Sequence, residues 1–261
     1  MKTSTSSWSY HRLFDEKKMD LFGWLDECAA LELDGVEPLT RDLPSTDAAV
    51  LRRVKRACAD RFLTIAMLSA EGHLTTGDDA QRRRDVEEIG KWMDVALYLG
   101  APLVRFFCGK GSELEAGGKP LYAKVLAAMK EVAALGEQRG IVAALENHGG
   151  TTPDQLLSLH RDVNSPWLAF TLDVGNFPPT SRVGPETYES IQRCAPHAAI
   201  VHAKFFNVRE DGRDADFDWD RIHGILKGAG FRGFLSVEYE GANADEAGCL
   251  RRIAPYLKTL R

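Results

Sequence analysis

The chain has 261 residues, a formal net charge of −5, 44% hydrophobic residues and 27% charged residues. That is the make-up of an ordinary globular protein with enough chain to bury a core without disulfides. An acidic chain with no long basic run is a poor partner for nucleic acid, whose affinity comes from neutralised phosphates. The basic clusters RRVKR around Arg53 and RRR at 82–84 fall in helical patterns and read as solvated helix faces. Cys28, Cys58, Cys108, Cys194 and Cys249 are odd in number, scattered, and form no C-x-x-C pair. The N-terminal MKTSTSSWSY carries no apolar leader and no run approaches a membrane span, so a reducing, cytoplasmic setting without a membrane is expected.

In chain order, a strand-like run followed by a helical pattern recurs. SSWSY at 6–10 is the first predicted strand, followed by His11 and a helix over 18–30. LELDGVEP at 31–38 is the second, with Glu37 at its end, and Pro44-Ser45 open a helix to about Asp60. FLTIAMLSA at 62–70 is the third, with His73 in its exit loop. Asp78 and Asp79 favour a helix start there, and Gly100 stops that helix after Leu99. PLVRFFCG at 102–109 is the fourth strand, GKGSELEAGG reads as a loop, and a helix over 121–139 ends at Gly140. IVAALENHGG at 141–150 is the fifth strand, after which Thr152 and Pro153 supply a cap and an N1 proline. LAFTLDVGN, AIVHAKFF and GFLSVEYEG are the sixth to eighth strands. FPPTS and a helix at 185–194 follow the sixth, a long polar loop and a helix over 219–228 follow the seventh, and a helix over 245–260 closes the chain.

Eight alternating strand–helix pairs predict a parallel sheet in a single α/β domain over 1–261, closed as a (β/α)8 TIM barrel. An open doubly wound sheet is the competitor. It gives no reason for ligand-type residues to end four successive strands, whereas a barrel brings them together at its C-terminal mouth. Those residues are Glu146, Asp173, His202 and Glu238.

Three carboxylates and an imidazole suit a divalent metal, Mn²⁺ first, with Mg²⁺, Co²⁺ or Zn²⁺ as alternatives. Three ionised carboxylates around such an ion leave one net negative charge, so one Glu can hold or exchange a proton. An ion of this kind polarises a ketone and its neighbouring hydroxyl, which makes the adjacent C–H acidic and an enediolate accessible. Glu146 and Glu238, from different strands, could face opposite sides of a bound sugar and pass a proton between them.

The motifs LENH, LDVGN, VHAKFF and SVEYEG resemble the xylose-isomerase-like sugar isomerase/epimerase superfamily over most of the chain. The resemblance implies a TIM barrel and assigns Glu146, Asp173, His202 and Glu238 as metal ligands. In the superfamily's ketose 3-epimerases the two glutamates form the acid–base pair. Those enzymes carry a His shortly after the metal-binding Asp, where this chain has Gly175 and Asn176, and an Arg after the strand-seven His, to which Arg209 is an approximate match. ENHGG also resembles members that act on 3-keto-sugars, including the catalytic subunits of C-glycoside deglycosidases, in which a neighbouring His is the base.

His148 shares the face of Glu146 by strand period, about 7 Å along, and either acts as that base or orients a ligand. Lys204 has the parity of His202 and either points at substrate or snorkels from the strand end. Glu37, His73, Asn176 and Arg209 complete the expected substrate contacts. Arg105 either reaches the mouth or pairs with a buried carboxylate.

The expected activity is therefore a metal-dependent isomerase or epimerase of a small carbohydrate. The alternative is a 3-keto-glycoside lyase or dehydratase that uses the same enolate with His148 as base. A DNA-repair endonuclease would need a multi-zinc cluster with more histidines. A homo-oligomer or a partner subunit is compatible with the sequence.

Overall fold

Strands and helices alternate along residues 1–179 and 183–260, which the computed structural model describes. The order is β1 (Lys2–Thr5), α1 (His11–Asp15), α2 (Leu21–Ala30), β2 (Gly35–Val36), α3 (Ala48–Asp60), β3 (Thr64–Ile65), β4 (Leu68–Ser69), α4 (Asp79–Leu99) and β5 (Leu103–Phe107). Next come α5 (Gly111–Arg139), β6 (Val142–Glu146), α6 (Pro153–Val163), β7 (Leu168–Asp173), α7 (Pro185–Cys194), β8 (Ala198–Phe205), α8 (Trp219–Gly228), β9 (Phe234–Tyr239) and α9 (Glu246–Lys258). Thr180 and Ser181 of the FPPTS linker lie outside the described residues.

Seven strands form one curled parallel sheet in the order β1-β9-β8-β7-β6-β5-β4, and β2 pairs with β3. Backbone bonds close the gap. Asp34 and Glu37 N–H groups donate to the Thr3 and Thr5 carbonyls at 2.9 Å, and the Ser69 N–H donates to the Pro38 carbonyl at 3.0 Å. The result is a TIM-barrel-like α/β fold, with β3 and β4 as two pieces of the third strand.

Several predicted boundaries shift for local reasons. The first strand is Lys2–Thr5, and 6–10 is not extended. Ser6 Oγ accepts from the Trp8 N–H and Ser9 Oγ donates to the Val237 carbonyl, so serine side chains turn the backbone into a 3-10 segment, Ser7–Tyr10. The expected loop GKGSELEAGG is mostly helical. Glu113 accepts from the Lys110 N–H, and the break comes later, at Gly118 with φ 54°, just before Pro120. The third strand is interrupted at Ala66-Met67.

Other signals act as read. Asp78 caps α4, Gly100 ends it with φ 87°, and Thr152 and Gln155 make a reciprocal capping box at α6.

The strand period organises the interior. Met67, Leu103, Ala144 and Ile200 pack with Phe234 in a small apolar cluster separate from the main core. Two residues further toward the strand ends stand Ser69, Arg105, Glu146, His202 and Ser236. The inward stripe therefore runs from apolar at the base to polar at the mouth, while the alternate residues face the helices.

Candidate metal centre and active-site cavity

Glu146 ends β6, Asp173 ends β7, and His202 and Glu238 lie near the ends of β8 and β9. In the register, Asp173 is opposite His202, and Lys204 is opposite Glu238. All four expected ligands are buried. Glu146, Asp173 and His202 each offer one ligand atom, and these atoms lie within 4.8 Å of one another. His202 Nδ1 is 3.5 Å from Asp173 Oδ2, 3.5 Å from Glu238 Oε2 and 3.6 Å from Glu146 Oε2. His202 Nδ1 is fully buried and makes no hydrogen bond within the protein, and the buried Asp173 Oδ2 has only an ion pair with the Lys204 ammonium at 3.0 Å. Buried polar atoms left this way call for a partner, and a divalent cation between these donors fits the set.

Each ligand is held from behind. His202 Nε2 bonds Glu37 Oε1 at 2.9 Å, and Ser69 Oγ donates to the same oxygen at 2.6 Å. This carboxylate behind the imidazole fixes which ring nitrogen faces the centre. The Asn147 side-chain amide donates to the Asp173 carbonyl and accepts from the Asp173 N–H, each at 2.7 Å, clamping β6 to β7. Asn147 thus faces away from Glu146, as strand alternation requires. Gly175 N–H donates to Asp173 Oδ1 at 2.7 Å. Arg105 Nη1 donates to Glu146 Oε2 at 3.0 Å, and Asn176 Nδ2 donates to Oε1 at 3.0 Å. Of the two alternatives open for Arg105, the structure combines both: it pairs with a buried carboxylate and lines the mouth cavity.

The charges are tightly interlocked. Burial raises the Glu146 pKa to about 7, with Arg105 and His202 opposing the rise and Glu238 and Asp173 adding to it. Burial opposes a charged Asp173, yet Lys204 and His202 hold its carboxyl below the usual range. His202 is likewise disfavoured as a cation by burial, but Glu37, Glu238 and Glu146 raise its pKa well above the ordinary value. Lys204 is only 1% exposed. Its ammonium lies 3.0 Å from Asp173 Oδ2 and 3.1 Å from Glu240 Oε1 and bonds Glu238 Oε2, which outweighs its desolvation and keeps it charged.

Above the centre opens a cavity of about 310 Å³ lined by Glu146, His148, Asn176, Lys204, Glu238 and Glu240, among others. The structure brings His148 to its rim, stacked on Phe107 with ring centroids 4.2 Å apart. Burial, then the Arg105 charge, lowers the His148 pKa, which favours its neutral form.

Three expected substrate contacts are placed elsewhere. Glu37 is fully buried and bonds His202 and Ser69 rather than facing the cavity. His73 bonds Glu113 Oε2 at 2.6 Å and lines an outer depression with Arg41 and Trp92. Arg209 sits in the turn at the tip of the loop after β8, its N–H bonded to the Arg213 carbonyl. Loop residues carry no period, so their direction was not readable from spacing.

Glu240, which also lines the cavity, was not singled out in the sequence. It lies two positions after Glu238 and accepts from Trp8 Nε1 at 2.7 Å; its matching parity was the available signal.

The fold is a TIM-barrel-like α/β barrel with a buried polar cluster at the C-terminal ends of its strands. The family model for the xylose isomerase-like TIM barrel matches residues 25–260, and the chain belongs to that family. A D-allulose 3-epimerase from Methylomonas sp. superposes with a TM-score of 0.80 at 16% identity, covering 100% of this chain and 98% of that one. The probable 3-DHS dehydratase AsbF from Bacillus anthracis gives 0.78 at 19% identity, with 99% of each chain covered. The IOLI protein, described with a bound zinc atom, gives 0.78 at 17% identity over 100% of this chain and 98% of that one. At these identities the likeness is one of fold. Among curated protein sequences, none matches this chain.

Proposed function

We propose that the protein is a divalent-metal-dependent isomerase or epimerase of a small carbohydrate, acting by proton transfer at the carbon beside a carbonyl. The observation that carries this reading is the shared centre. His202 Nδ1 lies unpartnered within 3.5–3.6 Å of carboxylate oxygens from Glu146, Asp173 and Glu238, beneath an open cavity.

Glu146, Asp173, His202 and Glu238 would hold the ion, with Mn²⁺ suited to a carboxylate-rich set containing one imidazole and Mg²⁺, Co²⁺ or Zn²⁺ as alternatives. When bound, it supplies Lewis acidity that makes the C–H beside a substrate carbonyl removable. Glu146, held at the cavity by Arg105 and Asn176, would take or return the proton. Glu238, on β9, faces the same cavity and serves as its counterpart. Asn176 holds Glu146 Oε1 and orients the carboxylate. Lys204 is placed to stabilise negative charge developing on a substrate oxygen.

A second reading has its own support. His148 lines the same cavity with its pKa shifted down, so a neutral imidazole is available as a base for loss of a β substituent. That chemistry is a lyase or dehydratase reaction on a 3-keto-glycoside.

Elemental analysis of the purified protein, then a keto-sugar screen with and without chelator in D₂O, tests both readings. Chelator-sensitive deuterium incorporation beside the carbonyl with an intact carbon skeleton supports the first reading. Release of an aglycone or water supports the second. A protein that retains no divalent ion and turns over no keto-sugar refutes both.

A further inference from the structure

Glu240 directly follows β9 and lines the catalytic cavity, with its side chain 33% exposed. Its Oε1 accepts from Trp8 Nε1 at 2.7 Å and lies 3.1 Å from the Lys204 ammonium. Both contacts reach the same oxygen, so Oε2 has no protein donor among the described residues. The Lys204 ammonium also lies 3.0 Å from Asp173 Oδ2. Glu240 therefore stands one ammonium away from the expected metal ligands.

Trp8 is itself held in place. The His11 ring stacks on the indole with centroids 4.6 Å apart at an interplanar angle of 17°, and the Arg41 guanidinium lies 5.1 Å from its ring centroid. His11 Nδ1 is 2.9 Å from the Trp8 carbonyl oxygen and 3.3 Å from Oε1 of the fully buried Glu246. With its ring covered this way, the indole acts through its edge. The indole N–H can only donate, and Glu240 is what receives it.

We propose that Glu240 is a specificity residue of this site, positioned by Trp8: its Oε2 accepts a hydroxyl of the bound sugar, and its charge turns away sugars that carry a phosphate or carboxylate, so the substrate is an uncharged polyhydroxy ketone. The proposal rests on the carbohydrate reading above and narrows its substrate class. Glu71, Glu146, Glu238 and Glu240 line the cavity against Arg105 and Lys204. Arg105 is bonded to Glu146, and Lys204 is shared among Asp173, Glu238 and Glu240. Arg41, beside Trp8, is 3.5 Å from Asp15 Oδ1 and 3.7 Å from Asp42 Oδ1. Even with a divalent ion in place, carboxylates outnumber the positive charges of the site. An anionic group at the end of the substrate remote from the ion meets like charge and no spare cation. A hydroxyl there donates to a charged acceptor, which makes a strong hydrogen bond.

Equilibrium dialysis of D-fructose, D-xylulose and D-ribulose, each beside its terminal phosphate ester, against the Mn²⁺-loaded full chain tests this. The parent binds its preferred ketose about tenfold tighter than the matching ester. Glu240→Gln keeps the shape and removes the charge; it weakens the ketose about fivefold and binds the ester tighter than the parent does, so the ratio falls to near one. Trp8→Phe removes the indole N–H and leaves the charge; it weakens the ketose about threefold, and the ester gains nothing. A merely structural role for Glu240 lowers both affinities in parallel, and that outcome overturns the proposal. A parent that binds an ester as tightly as its ketose also overturns it, and turnover of that ketose then leaves the keto-sugar reading standing. A parent that binds no sugar of the panel overturns it as well. Selective binding of neutral ketoses, levelled in Glu240→Gln, by a protein inert on every keto-sugar supports the specificity role and sinks the catalytic reading.

Discussion

Arg105→Met isolates how much the buried charge network depends on one cation. Arg105 is 4% exposed, donates to Glu146 Oε2 at 3.0 Å and reaches the Ala70 carbonyl through Nε and Nη2 at 3.3 and 3.2 Å. Its charge is the largest influence holding the Glu146 pKa down against burial, and even so that pKa stands near 7, above the ordinary 4.5. Removing the guanidinium raises it further. An acid whose pKa is higher folded than unfolded loses nothing below its unfolded pKa, and its ionisation penalises folding increasingly as pH rises toward the folded pKa. At pH 8 the variant must bury an unpaired carboxylate or a proton held against the solution, a loss of about 3–5 kcal/mol. At pH 5 Glu146 is mostly protonated in the folded state, and the cost falls to the lost Ala70 bonds and packing, roughly 1–2 kcal/mol. Urea unfolding of parent and variant in chelator at both pH values measures the difference. An equal loss at the two pH values, or a larger loss at pH 5, refutes the account of the site's electrostatics.

Asp214→Asn weakens the four N–H bonds that set the loop after β8, for about 2 kcal/mol and a melting temperature roughly 4–8 °C lower; an unchanged melting curve contradicts that role. Phe62 has φ 57° and is 93% exposed, so Phe62→Asn relieves backbone strain without losing packing and stabilises the chain by about 0.5–1 kcal/mol in urea titration. Mn²⁺ at a hundredfold excess over its Kd stabilises the parent by about 2.7 kcal/mol, read as a thermal shift that Asp173→Asn and His202→Ala both abolish. A shift that survives in both variants places the ion elsewhere.

The repeating strand–helix order, the helix stops at Gly100 and Gly140 and the cap at Thr152 were legible because they depend on local signals. So was the alignment of Glu146, Asp173, His202 and Glu238. Each sits on an inward stripe of a parallel strand, and a period of two carries its direction without knowledge of any neighbour. The same period, followed one step past Glu238, would have reached Glu240.

What the sequence could not decide lies where direction is set by contacts distant along the chain. Glu37 ends its strand as the metal-ligand candidates do, yet it turns behind His202, 165 positions away, because imidazole and carboxylate meet only when the ring closes. His73 and Arg209 sit on loops, and their own neighbours draw them outward. Lys204 had the right parity, but its burial among Asp173, Glu238 and Glu240 follows from two other chain segments, the ends of β7 and β9, converging on one ammonium. Asp214 is a different case, because its backbone donors Phe206, Asn207, Asp216 and Phe217 all belong to its own loop. Which of Asp211, Asp214, Asp216 and Asp218 turned inward was decided by the Val208–Asp214 bridge that folds the loop back on itself, a pairing that no strand or helix period announces.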